Sequence, residues 1–117
     1  MATATPVKIK ETPNIFMVEW LLTDADPEGD YYAFPSYADK TLHVFGTFDS
    51  GSVVIDGSNE DTPSGNGFVV QDSNHSSISL SSNGGAVMLH APWKVRPRFN
   101  GGGASRSVTV RMVGSSH

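Results

Sequence analysis

The chain has 117 residues, 38% of them apolar and only 17% charged, with 12 glycines, 7 prolines, no cysteine and a formal net charge of −4. That length supports one domain with a single core and not two. The missing cysteines exclude disulfides, thiolate metal sites and cysteine nucleophiles, and so low a charge content does not suit a helical protein, whose solvent faces need charged side chains.

Along the chain, period-2 alternation dominates. Val7–Lys10 and Ile15–Leu22 are the first strand candidates, and both are weak ones. The second is the longest apolar stretch, broken by Glu19 and far too short to span a bilayer. The residues before Ile15, 1–14, read as an N-terminal arm that becomes ordered on assembly, leaving 15–117 as the folded domain. The opening Met1-Ala2-Thr3-Ala4-Thr5-Pro6 has no basic segment leading into an apolar one. It therefore reads as no signal peptide and predicts synthesis in a cytoplasm, with no membrane partner.

An acidic run follows, Asp24, Asp26, Glu28 and Asp30, which begins like a calcium loop with Gly29 in sixth place. The pattern then fails, because the twelfth position is Pro35 and no helices flank it. A short helical turn near Pro35–Asp39 is compatible with the sequence, but no signal in it supports one. In the next strand Leu42, Val44 and Phe48 share a parity with Gly46, opposite His43, Phe45 and Thr47. Ser52–Ile55, Gly67–Gln71, Ser77–Leu80 and Ala86–His90 complete the middle of the chain, separated by Gly/Asn/Ser/Asp clusters at residues 49–51, 56–66, 72–74 and 81–85.

Trp93, Val95, Pro97 and Phe99 then alternate with Lys94, Arg96 and Arg98. Pro97 cannot donate to a ladder, which predicts a sheet edge or a bulge for this strand. After the loop at residues 100–103, Val108, Val110 and Met112 alternate with Ser107, Thr109 and Arg111. The fold class expected from these signals is all-β: a single-domain antiparallel β-sandwich, jelly-roll-like, of about eight short strands.

Charge is unevenly distributed along the sequence. All twelve acidic residues lie at or before Asp72, whereas Lys94, Arg96, Arg98, Arg106 and Arg111 follow it with no acid among them. Either complementary acidic and basic surfaces guide docking, or strands from the two halves interleave and mix the charges.

No motif with catalytic spacing is present. His43, His75, His90 and His117 form no i, i+2 or i, i+4 pair, no serine sits in a G-x-S-x-G elbow, and the glycines at 101–103 lack the lysine and helix of a phosphate loop. The chain is therefore expected to be no enzyme and to carry no cofactor or metal. The stripe of Lys94, Arg96 and Arg98, with Lys8 and Lys10, is the candidate interaction surface. On an acidic protein it is too thin a footprint for direct nucleic-acid binding. Tyr31, Tyr32, Tyr37 and Trp20 would form a carbohydrate platform if exposed, and a packing cluster if not.

The segment 35–59, with its Gly46-Thr47-Phe48 strand turning into a second strand that ends Gly57-Ser58-Asn59, resembles small tailed-phage virion proteins. So does Arg96-Pro97-Arg98-Phe99-Asn100-Gly101-Gly102 ahead of the last alternating strand. The resemblance covers about residues 35–113. The chain departs from it at residues 60–66, where such proteins often carry an aromatic soon after G-S-N. What the resemblance implies is a head decoration or cement protein of the virion, often a homotrimer, bound to the major capsid protein. A tail or baseplate role on the same fold is the alternative.

Overall fold

The computed structural model describes residues 3–12, 14–33, 39–63, 67–89 and 92–115. Twelve strands occur among them: β1 (Thr3–Ala4), β2 (Val7–Glu11), β3 (Ile15–Thr23), β4 (Glu28–Gly29), β5 (Tyr32–Ala33), β6 (Asp39–Thr47), β7 (Ser52–Ser58), β8 (Phe68–Val69), β9 (Ser79–Leu80), β10 (Gly84–Val87), β11 (Lys94–Asn100) and β12 (Ser107–Ser115). The number exceeds the expected eight because five of these segments are only two residues long. Among the described residues no helix is long and apolar enough to cross a membrane. The proposed helical turn, Tyr37, His90 and His117 fall on or beside residues outside the described set, and Asp39 itself opens β6.

Two sheets form. In the five-stranded sheet the order is β10-β6-β12-β3-β2, and three nine-residue strands, β3, β6 and β12, run antiparallel over their whole length. Alternation decides which side of it is buried. Phe16, Val18, Trp20 and Leu22, then Leu42 and Val44, then Val108, Val110 and Met112 all point inward and are buried. Gly46 completes that inner row opposite Val108. Its φ of 142° and a would-be Cβ only 2.3 Å from the Ser107 carbonyl leave room for no side chain.

The seven-stranded sheet has the order β1-β4-β11-β7-β8, with β5 also on β11 and β9 also on β7. Its inward residues, among them Val53, Ile55 and Val95, meet those of the first sheet in one apolar cluster. Fully burying a side chain of this size contributes about 1.5–3 kcal/mol, so the shared cluster is the main stabilising term. Every strand pair is antiparallel except β1–β4, which is parallel. The chain leaves β1 for the other sheet and returns through β4, a crossover that brings it back in the same direction. Residues 3–11, read as part of an arm, thus supply β1 and β2, and Ala4 joins the core.

Two expectations about β11 are corrected. The strand is central, not at an edge: β7 flanks it along its length, and β4 and β5 share its other side. Phe99 N–H donates to the Pro27 carbonyl, so Pro97, two residues away, turns its nitrogen to the same side. There the neighbouring strand is interrupted between Gly29 and Tyr32. Asp30 in the gap has other partners, its N–H donating to Ala4 and its carbonyl accepting the Trp20 indole N–H.

Trp93 was expected to face the core, but it is 42% exposed. The alternation starts at Lys94, where the strand starts, and Pro92 is the buried residue just before it. The Trp93 N–H is instead tied to the Asn59 side chain.

Candidate interaction surfaces

The five basic candidates divide between the two sheets. Lys8 and Lys10 lie on β2, the edge strand of the five-stranded sheet, whereas Lys94, Arg96 and Arg98 lie on β11 in the middle of the other. Lys8 pairs with Glu11 at 3.0 Å, and that hydrogen bond raises its pKa above the ordinary lysine value. Both groups are exposed, so solvent screens the pair. Lys94 donates to the Asp61 carbonyl and stands 4.6 Å from the Trp93 ring centre.

Arg96 and Arg98 form a compact cluster with two acids. Arg98 grips Asp56 side-on, Nε to Oδ2 at 2.8 Å and Nη2 to Oδ1 at 3.2 Å. Arg96 donates to the same Oδ2 through Nε at 3.1 Å and to Glu28 through Nη1 at 3.0 Å. Its guanidinium lies 4.8 Å from the Tyr31 ring centre. The bond to Asp56 raises the Arg98 pKa above its already high ordinary value. Burial pushes the Tyr31 hydroxyl up, against the opposing pull of Arg96. The basic stripe is therefore largely neutralised from within the domain.

Other arginines follow suit. Arg106 reaches Asp24 at 3.1 Å and Arg111 reaches Glu19 at 2.6 Å. Of the two readings of the uneven charge, interleaving is the one realised, because the chain passes repeatedly between sheets and lays late strands beside early ones. The acidic run is dispersed likewise: Asp24 on Arg106, Glu28 on Arg96, and Asp30 on the Thr3 hydroxyl. Among the described residues no group of three or more acids and histidines is placed to hold a metal ion. Trp20 is fully buried and Tyr32 packs on it edge-on, with ring centres 6.4 Å apart, so neither contributes to a sugar platform.

A different surface, missed in the sequence, is the outer face of the five-stranded sheet. The register sets Leu21, Thr109 and Phe45 in one row, Glu19, Arg111 and His43 in the next, and Met17, Val113 and Thr41 in a third. Val7 extends the second row and Val87 the third. Leu21 is 55% exposed, Val87 52% and Val7 56%, and Ile15, Met17, Phe45 and Val113 are half-buried. Within these rows the charges are the mutually paired Glu19 and Arg111 at the centre and Lys10 beside Met17 at the β2 edge, with His43 stacked on Phe45 at 4.8 Å between ring centres.

The signal for this face was present in Ile15–Leu22, which is apolar at nearly every position rather than at alternate ones. Such a strand suits burial on both faces. Within the domain β3 is covered on one face only.

In comparisons with known proteins, no family model matches the chain, and no curated protein or solved structure matches it.

Proposed function

We propose that this protein is a non-enzymatic structural protein that works by docking, and that it is a decoration or cement protein on the outer surface of a bacteriophage head. The observation that carries the docking reading is the outer face of β3, β6 and β12. A contiguous apolar sheet face whose centre holds one internal ion pair, with Lys10 at its β2 edge, is what an assembly surface needs, and is costly on a protein that stays alone. The sequence pattern over residues 35–113 supports the placement on a phage shell.

In this reading the two sheets form a jelly-roll-like β-sandwich, and copies associate as homotrimers on the major capsid protein. Bound copies bridge neighbouring capsid subunits. They stabilise the closed shell by mass action, since whatever binds the assembled state and not the dispersed one shifts the equilibrium toward it. The protein is made in the host cytoplasm and carried on the virion, and it binds neither nucleic acid nor membrane directly. Segment 1–14 adds contacts to a neighbouring copy.

The copy number on purified virions, taken by mass spectrometry relative to the major capsid protein, tests the placement. A simple stoichiometric ratio is expected. A handful of copies would move the protein to the tail or baseplate, and none would remove it from the virion. A carbohydrate-binding role is the more distant reading, and of its four candidate aromatics Tyr31 is the one that is described and not packed in or against the core.

A further inference from the structure

A small recess of about 270 Å³ opens on the outer side of the seven-stranded sheet, lined by Tyr31, Asp56, Gly67, Val69, Arg96 and Arg98. Asp56 and the two arginines come from adjacent β7 and β11, and Val69 from β8 beside them. The recess is distinct from the apolar docking face, which belongs to the other sheet.

Its donors are held in place but not used up. Asp56, only 7% exposed, occupies Arg98 Nε and Nη2 and Arg96 Nε. Glu28 takes Arg96 Nη1. Arg96 Nη2 and Arg98 Nη1 have no partner among the described residues. The two guanidinium groups are matched by Asp56 and Glu28, so the floor offers an anion directed N–H donors and not a net positive charge. Forked guanidinium donors fixed from behind match the planar geometry of a carboxylate.

The walls restrict what enters. The Tyr31 hydroxyl, protonated at neutral pH and with its pKa raised further from 10.0 by burial, is able to donate. A Cβ at Gly67 would stand 2.9 Å from that hydroxyl oxygen, so the glycine leaves this side open. Val69 gives one apolar wall, which suits a carbon-bearing acid over an inorganic anion. The volume lies just below the range of ordinary ligand pockets and admits a short chain or part of a ring.

The geometry points to a binding site for a single carboxylate group, received by Arg96 Nη2, Arg98 Nη1 and the Tyr31 hydroxyl. That group comes either from a small free acid, such as a sugar acid, or from the side chain of a glutamate presented by a partner protein.

The test is a titration of the isolated protein, followed by the arginine side-chain Nε–Hε signals in ¹H–¹⁵N spectra. Sodium acetate should shift the Arg96 and Arg98 signals saturably, while sodium chloride at matched ionic strength should not. Tyr31→Phe should weaken acetate about fivefold through loss of one hydrogen bond, and Gly67→Ala should close the mouth. Because the Gly67 methyl would also approach the Gly57 carbonyl at 2.7 Å, Tyr31→Phe is the deciding variant, with circular dichroism verifying its fold. Tighter binding of glucuronate than of N-acetylglutamate α-amide assigns the site to a free sugar acid, and the reverse order assigns it to a glutamate side chain. Shifts that are non-saturable, equal in chloride, or unchanged by Tyr31→Phe would overturn the proposal. None of these outcomes depends on virion copy number.

Discussion

Both oxygens of Asp56 are taken by guanidinium groups that are themselves largely covered, with side-chain exposures of 21% for Arg96 and 29% for Arg98. Removing the negative charge leaves two cations facing one another across a neutral amide. Asp56→Asn is therefore expected to cost about 2–4 kcal/mol, short of the full buried-pair penalty because both arginines still reach water. Urea unfolding measures it, and a loss below about 0.5 kcal/mol would mean the cluster is merely superficial.

Tyr31, beside the same cluster, governs the alkaline side. Its pKa is raised above 10.0 in the folded protein, so the folded state holds the proton more tightly than the unfolded chain. That contribution is complete below the unfolded value and is lost as pH rises through the folded one. Thermal unfolding of the native protein should lose stability relative to Tyr31→Phe as pH rises above 10.0, and the difference should be flat at neutral pH. At Val110, fully buried at the centre of the inner row, an aspartate would be a charge with no partner. Val110→Asp should cost about 4 kcal/mol or more and abolish the β-type circular dichroism.

At the scale of the element, β3 is informative because its two faces have different uses. Its inward side chains hold the domain together, and its outward ones, Ile15, Met17 and Leu21, lie on the bare face. Substitutions on the two sides should therefore separate folding from docking. Leu21→Glu combined with Val87→Glu should change unfolding free energy by less than about 1 kcal/mol, because both side chains are already more than half exposed. The same pair should abolish self-association in native mass spectrometry and shell binding in co-sedimentation. Undiminished association would assign docking to another surface.

The edges of that sheet are also unlike. β2 carries Lys8, Lys10 and Glu11, whose charges discourage further strand pairing, whereas β10 is Gly84-Gly85-Ala86-Val87 with no charge at all.

Over the whole molecule, the interleaving of the sheets decides what kind of force can act between copies. The late arginines Arg96, Arg98, Arg106 and Arg111 each meet an acid from the first half of the chain. Little long-range charge separation is left to steer a partner. Docking through the apolar face should therefore persist as salt rises to about 0.5 M, where the Debye length falls to a few ångströms. A binding isotherm that collapses over that range would restore the basic stripe as the docking element.

What the sequence determined by itself is the part of the structure set by period-2 alternation. The all-β class, the inward parity of Leu42, Val44, Val95, Phe99, Val108, Val110 and Met112, and the outward parity of Arg96 and Arg98 follow from neighbouring residues alone, because successive side chains of a strand point to opposite faces. Strand ends were less legible. Asp56 reads as the start of a turn, yet it continues β7, since only the pairing with Arg96 across the sheet reveals its place.

Tertiary structure alone decided which strands became neighbours. It put Pro97 in mid-sheet beside a gap, set Trp93 outside the alternation, and matched each late arginine to an early acid. It also left β3 covered on one face only. Each of these depends on register and sheet assignment between segments tens of residues apart, where the pairing partner and not the local pattern carries the information.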